Sequence, residues 1–448
     1  MLTARLALCL WIVSATIVAL KPSMRFKPHN SCKSNEHHIS KRRLDSKTIF
    51  ESAAAKTLST AATLSIMASF IFQPPLPAMA SVAPLADVGL REFLVKDGRE
   101  LLRLSLPSSM TKDAPINLES DPGRQCQEAI ELVRLRLEQV GFSGKKPVWL
   151  ASLKEVNEAN RIANTNALLE KVPKKDLPQA TKQLEALKLS IDSLRDAVRN
   201  EDIKGTIETQ SKAAQELYDL RLLSMKPGLP YSIPSDVSSP GVPILKGRAT
   251  VDITIKRPAG SKPFTLDDGS KSDTLPLTLV IDGYRAPVTA GNFVDLVNRK
   301  FFDGTEINSV DDLFINAGKP DGAEGFVDPR TKEVRRIPLE LFYKKDVTPV
   351  WHYSSDDDMR ATEGFANPFQ AVGALGMIHD PEDNDSASSQ FFFLKWDQGL
   401  VAPGRNTLDG SSANFGYVVK NEGALSQINK RDTIAKAVVV SGANLLQS

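Results

Sequence analysis

Apolar residues recur with a helical period between about residues 90 and 224 and with a strand period after residue 246, and a run of prolines separates the two regimes. Ile130, Val133 and Leu137 form one stripe within 128–140, and Leu184, Leu187, Ile191, Leu194 and Val198 form a longer one that predicts a helix over 177–199. Asp202 is placed to cap a further helix carrying Ile203, Ile207, Ala214, Leu217 and Leu220. Lys and Glu interleave on the opposite faces, as on a solvated bundle surface. The leucine stripe is too short for a sustained coiled coil, so this region predicts an antiparallel bundle of three or four helices. Pro227, Pro230, Pro234, Pro240 and Pro243 then exclude helix and favour extended chain. Beyond Lys246, residues 249–255 alternate and 277–281 read as a buried strand.

The residues ahead of these elements read as targeting signals. An apolar stretch over 6–20 follows Arg5 and is short for a membrane span. A segment rich in Lys, Arg and Ser over 21–56 has few acids, as in organelle transit peptides. A second apolar stretch over 58–72 leads to Ala78-Met79-Ala80-Ser81, an A-x-A cleavage pattern that predicts a mature chain starting near Ser81. Two apolar segments around a basic one predict delivery into a compartment inside an organelle. Arg42-Arg43 leaves a twin-arginine route open, and a retained signal anchor is the alternative.

Composition narrows the chemistry. Apolar residues at 41% and charged residues at 25% are ordinary for a soluble globular protein. The formal charge of +2 is unevenly spread, with a basic leader, and the helical lysines have no interleaved aromatics to stack bases, so no nucleic-acid partner is predicted. With Cys9 and Cys32 in the leader, Cys126 is left alone and cannot form an internal disulfide. His352 and His379 are the histidines beyond the leader, and no ligand spacing accompanies them. Neither a metal nor a cofactor is predicted.

Four motifs follow in order through the last third. They are Ala286-Pro287-Val288-Thr289-Ala290-Gly291-Asn292-Phe293, then Phe301-Phe302-Asp303-Gly304-Thr305, then Ser388-Ser389-Gln390-Phe391-Phe392-Phe393-Leu394, then Leu408-Asp409-Gly410 running into Phe415-Gly416-Tyr417-Val418. The set resembles the cyclophilin domain. Leader, helical portion, proline hinge and C-terminal domain together look like the large two-domain thylakoid-lumen cyclophilins of plastids. The resemblance implies an N-terminal all-α bundle, similar in fold to a small extrinsic photosystem II subunit, followed by a closed eight-stranded antiparallel barrel capped by two helices. Phe293, Leu296 and Val297 would face inward from one cap. The division is a leader over 1–80, a bundle over 81–226, a linker over 227–246 and the cyclophilin-like domain over 247–448.

The family's activity is peptidyl-prolyl cis-trans isomerisation, against a barrier of about 18–20 kcal/mol. It needs an apolar slot for the proline ring and donors that favour the twisted amide. Phe314, Met377, Gln390, Phe392 and Leu408 match the family's groove. Ser309 falls at the position of its catalytic arginine, and Ser412 falls at that of its groove histidine. Phe314-Ile315-Asn316-Ala317-Gly318 is one residue short of holding the family's next glutamine, and Ile378 replaces a small residue. The resemblance therefore implies a folding factor of the thylakoid lumen whose isomerase activity is weak or lost, acting with Gln390 on proline-containing polypeptides. A non-catalytic scaffold or assembly chaperone for photosystem II or other thylakoid complexes is the alternative. Contact with the membrane would be peripheral at most. A helical portion folded over the groove is a further arrangement that the short hinge allows.

Overall fold

A computed structural model describes residues 95, 97–107, 121–138, 146–225, 228–237, 241–319, 324–395 and 408–447. The leader expected over 1–80 and its cleavage at Ser81 lie outside the described residues.

Helices come first: α1 (Gly98–Ser105), α2 (Pro122–Glu138), α3 (Lys146–Ala163), α4 (Leu177–Arg199) and α5 (Ile203–Ser224). Helix α4 covers the range that its leucine spacing predicts, and Asp202 caps α5 by accepting a bond from the Gly205 amide at 3.0 Å. The stripes from α2, α4 and α5 meet with Trp149 and Val156 of α3 in one apolar core, where Leu187, Ile191 and Leu194 are fully buried. Inside this core sits Glu131 of α2, 1% exposed. It accepts bonds from Arg103 of α1 at 2.6 Å, Gln127 at 2.8 Å and Gln210 of α5 at 2.8 Å. These bonds compensate the burial of its charge.

Strands then take over: β1 (Ile244–Leu245), β2 (Arg248–Lys256), β3 (Phe264–Thr265), β4 (Lys271–Ser272) and β5 (Thr274–Asp282) precede helix α6 (Pro287–Asn298). After it come β6 (Thr305–Glu306), β7 (Ser309–Val310), β8 (Phe314–Ala317), β9 (Glu340–Leu341), β10 (Val350–Trp351), β11 (Ala374–Met377), β12 (Phe391–Leu394), β13 (Asn414–Lys420), β14 (Thr433–Ser441) and β15 (Leu446–Gln447). Nine of them form one curled antiparallel sheet in the order β6-β14-β2-β5-β13-β11-β12-β8-β7. Its concave face holds the main core with α6, including Phe293, Phe302, Phe391, Phe393 and Phe415.

Two expectations are corrected here. The sheet does not close into an eight-stranded barrel: its end strands β6 and β7 are neighbours in sequence, joined through Ile307-Asn308 and not by a ladder. The Ile307 amide bonds back to Asp432 while the Asn308 amide bonds forward to Asn316, so the chain turns from one side to the other and no strand-to-strand register forms. Among the described residues this half carries one α-helix, α6, instead of two caps. Near the other end a six-residue 3₁₀ turn, Glu422–Gln427, stands between β13 and β14.

The helical portion and the sheet share a third apolar cluster. Val95, Leu101 and Leu102 join Leu132 and Leu135 of α2 against Phe369, Phe392, Leu394 and Tyr417. Helix α1 lies between the two, packed on β13 as well as on α2 and α5.

Candidate functional site

Period-two alternation decides which side chains reach the outer face of the sheet. In β12, Phe391 and Phe393 point into the concave core while Phe392 and Leu394 point outward. In β8, Ile315 and Ala317 are fully buried, while Phe314 and Asn316 on the other face are partly buried. The rings of Phe314 and Phe392 meet edge to face at 5.0 Å, and Phe369 stacks on Phe392 at 5.6 Å. Gly376 lies beneath the Phe392 ring, where any Cβ would collide with it. Ile378 and Leu408 pack on the same cluster.

Phe314, Phe392 and Leu408 are thus brought together by the fold. Met377 is not: it packs in the concave core, 2% exposed, because β11 turns that position inward. Gln390 sits at the margin and donates from Nε2 to the Glu324 carbonyl at 2.8 Å. Ser309 is exposed on the edge strand β7, directly opposite Asn316, whose Nδ2 donates to the Ser309 hydroxyl at 2.9 Å. A neutral amide-hydroxyl pair therefore occupies this edge, at the residue that the resemblance led us to expect in the arginine's place. Ser412 is half-buried in the turn after Leu408, its amide bonded to the Leu408 carbonyl at 3.0 Å.

Sequence reasoning missed several neighbours. Asn316 is the partner of Ser309. Phe369 stacks on Phe392, and its amide donates to Asp409 at 2.8 Å. Asp409 lies within the Leu-Asp-Gly motif, which could have flagged it; burial pushes its carboxyl up to about 7 against that hydrogen bond. Ser412 and Asp409 line a small cavity with Glu340 and Asn414. Glu340 caps α6 through the Val288 and Thr289 amides and accepts from the Trp351 indole at 2.7 Å, yet burial raises its carboxyl to about 7. Among the described residues, no group of three His, Cys, Asp or Glu is arranged to hold a metal ion.

Leu101 and Leu102 of α1 and Leu132 and Leu135 of α2 share one buried apolar cluster with Phe392, which is 5% exposed, and Phe314 and Leu408 pack against that cluster partly buried.

The family model for cyclophilin type peptidyl-prolyl cis-trans isomerase matches residues 270–445. A Synechocystis protein named as a thylakoid lumen peptidyl-prolyl cis-trans isomerase is 36% identical over 356 residues, covering 77% of this chain and 89% of the relative. The chloroplastic peptidyl-prolyl cis-trans isomerase CYP38 of Arabidopsis thaliana is 31% identical over 423 residues, covering 92% and 89% respectively. Chloroplastic CYP37 of the same plant is 32% identical over 230 residues, with 51% of this chain and 46% of that one covered. The chain belongs to the cyclophilin family. Within it, the chain sides with the large two-domain members and is a protein of the plastid thylakoid lumen.

Proposed function

We propose that this protein is a lumenal folding factor that engages proline-containing polypeptides through the outer-face slot of Phe314, Phe392 and Leu408, with Gln390 at its margin, and that its isomerase turnover is weak or lost at rest. One observation carries this reading: the three groove side chains meet on one face, and leucines of the chain's own α1 and α2 pack into the same apolar cluster. The edge pair Ser309–Asn316 brings no charge to the twisted amide, and losing a charge-assisted donor costs about 10²–10³-fold in rate. The polypeptide substrate class rests on the family. We read the chain as a removed leader over 1–80, a helical portion over 81–226, a connector over 227–246 and the cyclophilin-like half over 247–448.

A second reading is favoured by the same packed cluster and neutral edge: a non-catalytic scaffold or assembly chaperone for thylakoid complexes such as photosystem II. A protease-coupled prolyl isomerisation assay on residues 81–448, beside an active cyclophilin, separates the two. Background turnover from the native chain that rises when α1 is loosened supports the isomerase. Background in both states supports the scaffold, and turnover matching the control from the native chain sinks the claim of a weakened site.

A further inference from the structure

Helix α1 is more than a lid, because the groups around it read its chemistry in three places. Its first turn lies against β13 with only Gly98 between: a Cβ there would stand 2.8 Å from the Tyr417 Cβ. Its middle inserts Leu101 and Leu102, 6% and 3% exposed, into the aromatic cluster. On either side of these leucines, Glu100 pairs with Arg134 of α2 and Arg103 pairs with Glu131 at 2.6 Å.

The third place is its C-terminal end. The last carbonyls of a helix have no partner within it and carry its negative pole. Here guanidinium groups from three separate elements satisfy them. Arg248 of β2 donates to the Leu102 carbonyl at 2.8 Å. Arg285, after β5, donates twice to the Ser105 carbonyl at 2.8 and 2.6 Å. Arg221 of α5 donates to the Arg103 and Leu106 carbonyls, both at 3.1 Å. Arg248 also has a carboxylate partner, Asp282, at 2.6 Å. The guanidinium hydrogen bonds of Arg221 and Arg285 go to carbonyls at the end of α1, and burial lowers both groups to about 10. Buried guanidinium groups aimed at helix carbonyls are costly unless an acceptor is present.

The occupant is also the wrong shape for a prolyl peptide. It is regular helix from Gly98 to Ser105 and contains no proline, and the residue before a proline is driven out of helix. Eight residues are too few for a stable isolated helix, so α1 owes its form to the surface that holds it.

We infer that this surface is a receptor for a short amphipathic helix of a partner polypeptide, one that carries an adjacent leucine pair and ends at the Arg221–Arg248–Arg285 cluster, and that α1 is the occupant in cis. This rests on the proposed outer-face slot and names the partner class it takes. A partner helix of three or more turns, ending in a free carboxylate, brings its own helicity and a full negative charge to the three arginines, and so competes with α1 despite the advantage of tethering.

The test uses residues 81–448 in native form and with Gly98→Val, which drives a side chain into Tyr417. Leu102→Ala serves as a second loosened variant, should the first fail to give a cooperative melt. The probe is a fluorescent peptide of the sequence from Val95 to Leu106, as free acid and as amide, read by anisotropy. A control peptide carries aspartate for both leucines, and an Ala-Pro peptide represents the prolyl class. The free acid should bind a loosened chain at least about tenfold tighter than the native one, where the tethered helix competes. It should also bind tighter than its amide and its aspartate control. Equal binding to native and loosened chains, or tighter binding of the Ala-Pro peptide, overturns the inference. Prolyl turnover in the loosened chain without binding of the helical peptide leaves the isomerase reading standing and removes this one. Binding without turnover does the reverse.

Discussion

Gly98 and Tyr417 are 319 positions apart in sequence, and the fold presses the first turn of α1 onto β13 so closely that a methyl group at Gly98 would lie 2.8 Å from the Tyr417 Cβ and 3.2 Å from its Cγ. Tyr417 cannot yield easily, because its ring is fully buried and its hydroxyl donates to the Pro368 carbonyl at 2.8 Å.

Gly98→Ala should therefore destabilise the chain, although alanine is the better helix former. The helix-propensity gain of about 1 kcal/mol is outweighed by overpacking of about 1–3 kcal/mol. Thermal melts of the two chains check this; a higher melting temperature for the alanine form would show that α1 is not held against β13.

Glu131→Ala should be among the more damaging single changes in the helical portion. It strands Arg103, whose side chain is 6% exposed, together with the amide groups of Gln127 and Gln210. Removing one partner of a buried pair costs about 3–5 kcal/mol. Denaturant unfolding measures the loss, and restoring most of it with Arg103→Met in the Glu131→Met background would identify the stranded charge as the cause.

Stability should fall as pH rises from about 4 to 8. Burial holds the carboxyl groups of Glu340 and Asp409 up to about 7, and that of Glu100 up to about 8, pushed first by burial and then by Glu131 against Arg134 and Arg103. In the unfolded chain these groups titrate near about 4. The folded chain therefore binds more protons between those values, so its stability is fully present below about pH 4 and is lost as pH rises through 7 to 8. Melting temperatures across this range should decline, and Glu340→Gln or Asp409→Asn should flatten the decline. A slope left unchanged by both substitutions would contradict the assignment.

Ser309→Arg alone should leave prolyl turnover near background, because the new guanidinium sits at the open edge of a slot whose apolar cluster α1 and α2 still occupy. Combined with Gly98→Val it should raise turnover by about 10²-fold, within the range of one charge-assisted donor. The coupled assay decides this, and a full gain from Ser309→Arg alone would mean that substrate reaches the slot with α1 in place.

Much of the fold was legible because it rests on local rules. The leucines of 184–198 repeat at helical spacing and form a helix over Leu177–Arg199. The resemblance named Phe314 and Phe392 together, and the antiparallel pairing of β12 with β8 brings their rings into contact. Met377 was misplaced as a groove wall, since a one-residue difference in phase sends a strand side chain to the other face. Asn316 escaped notice because its pairing with Ser309 depends on the register of the edge strand β7 against β8, which no short motif encodes. The closed barrel failed for a similar reason: closure depends on whether β6 and β7 share a ladder, and the turn through Ile307-Asn308 denies it.

By itself, then, the sequence determined the family and the helical and strand halves, because periodicity, capping and motif order are properties of neighbouring residues. Only the tertiary structure decided that a short helix near residue 100 packs into the apolar cluster behind the outer-face slot and that three distant arginines hold its end. Those contacts join residues more than a hundred positions apart, and their energy comes from burial and carbonyl desolvation that exist only once both halves are packed.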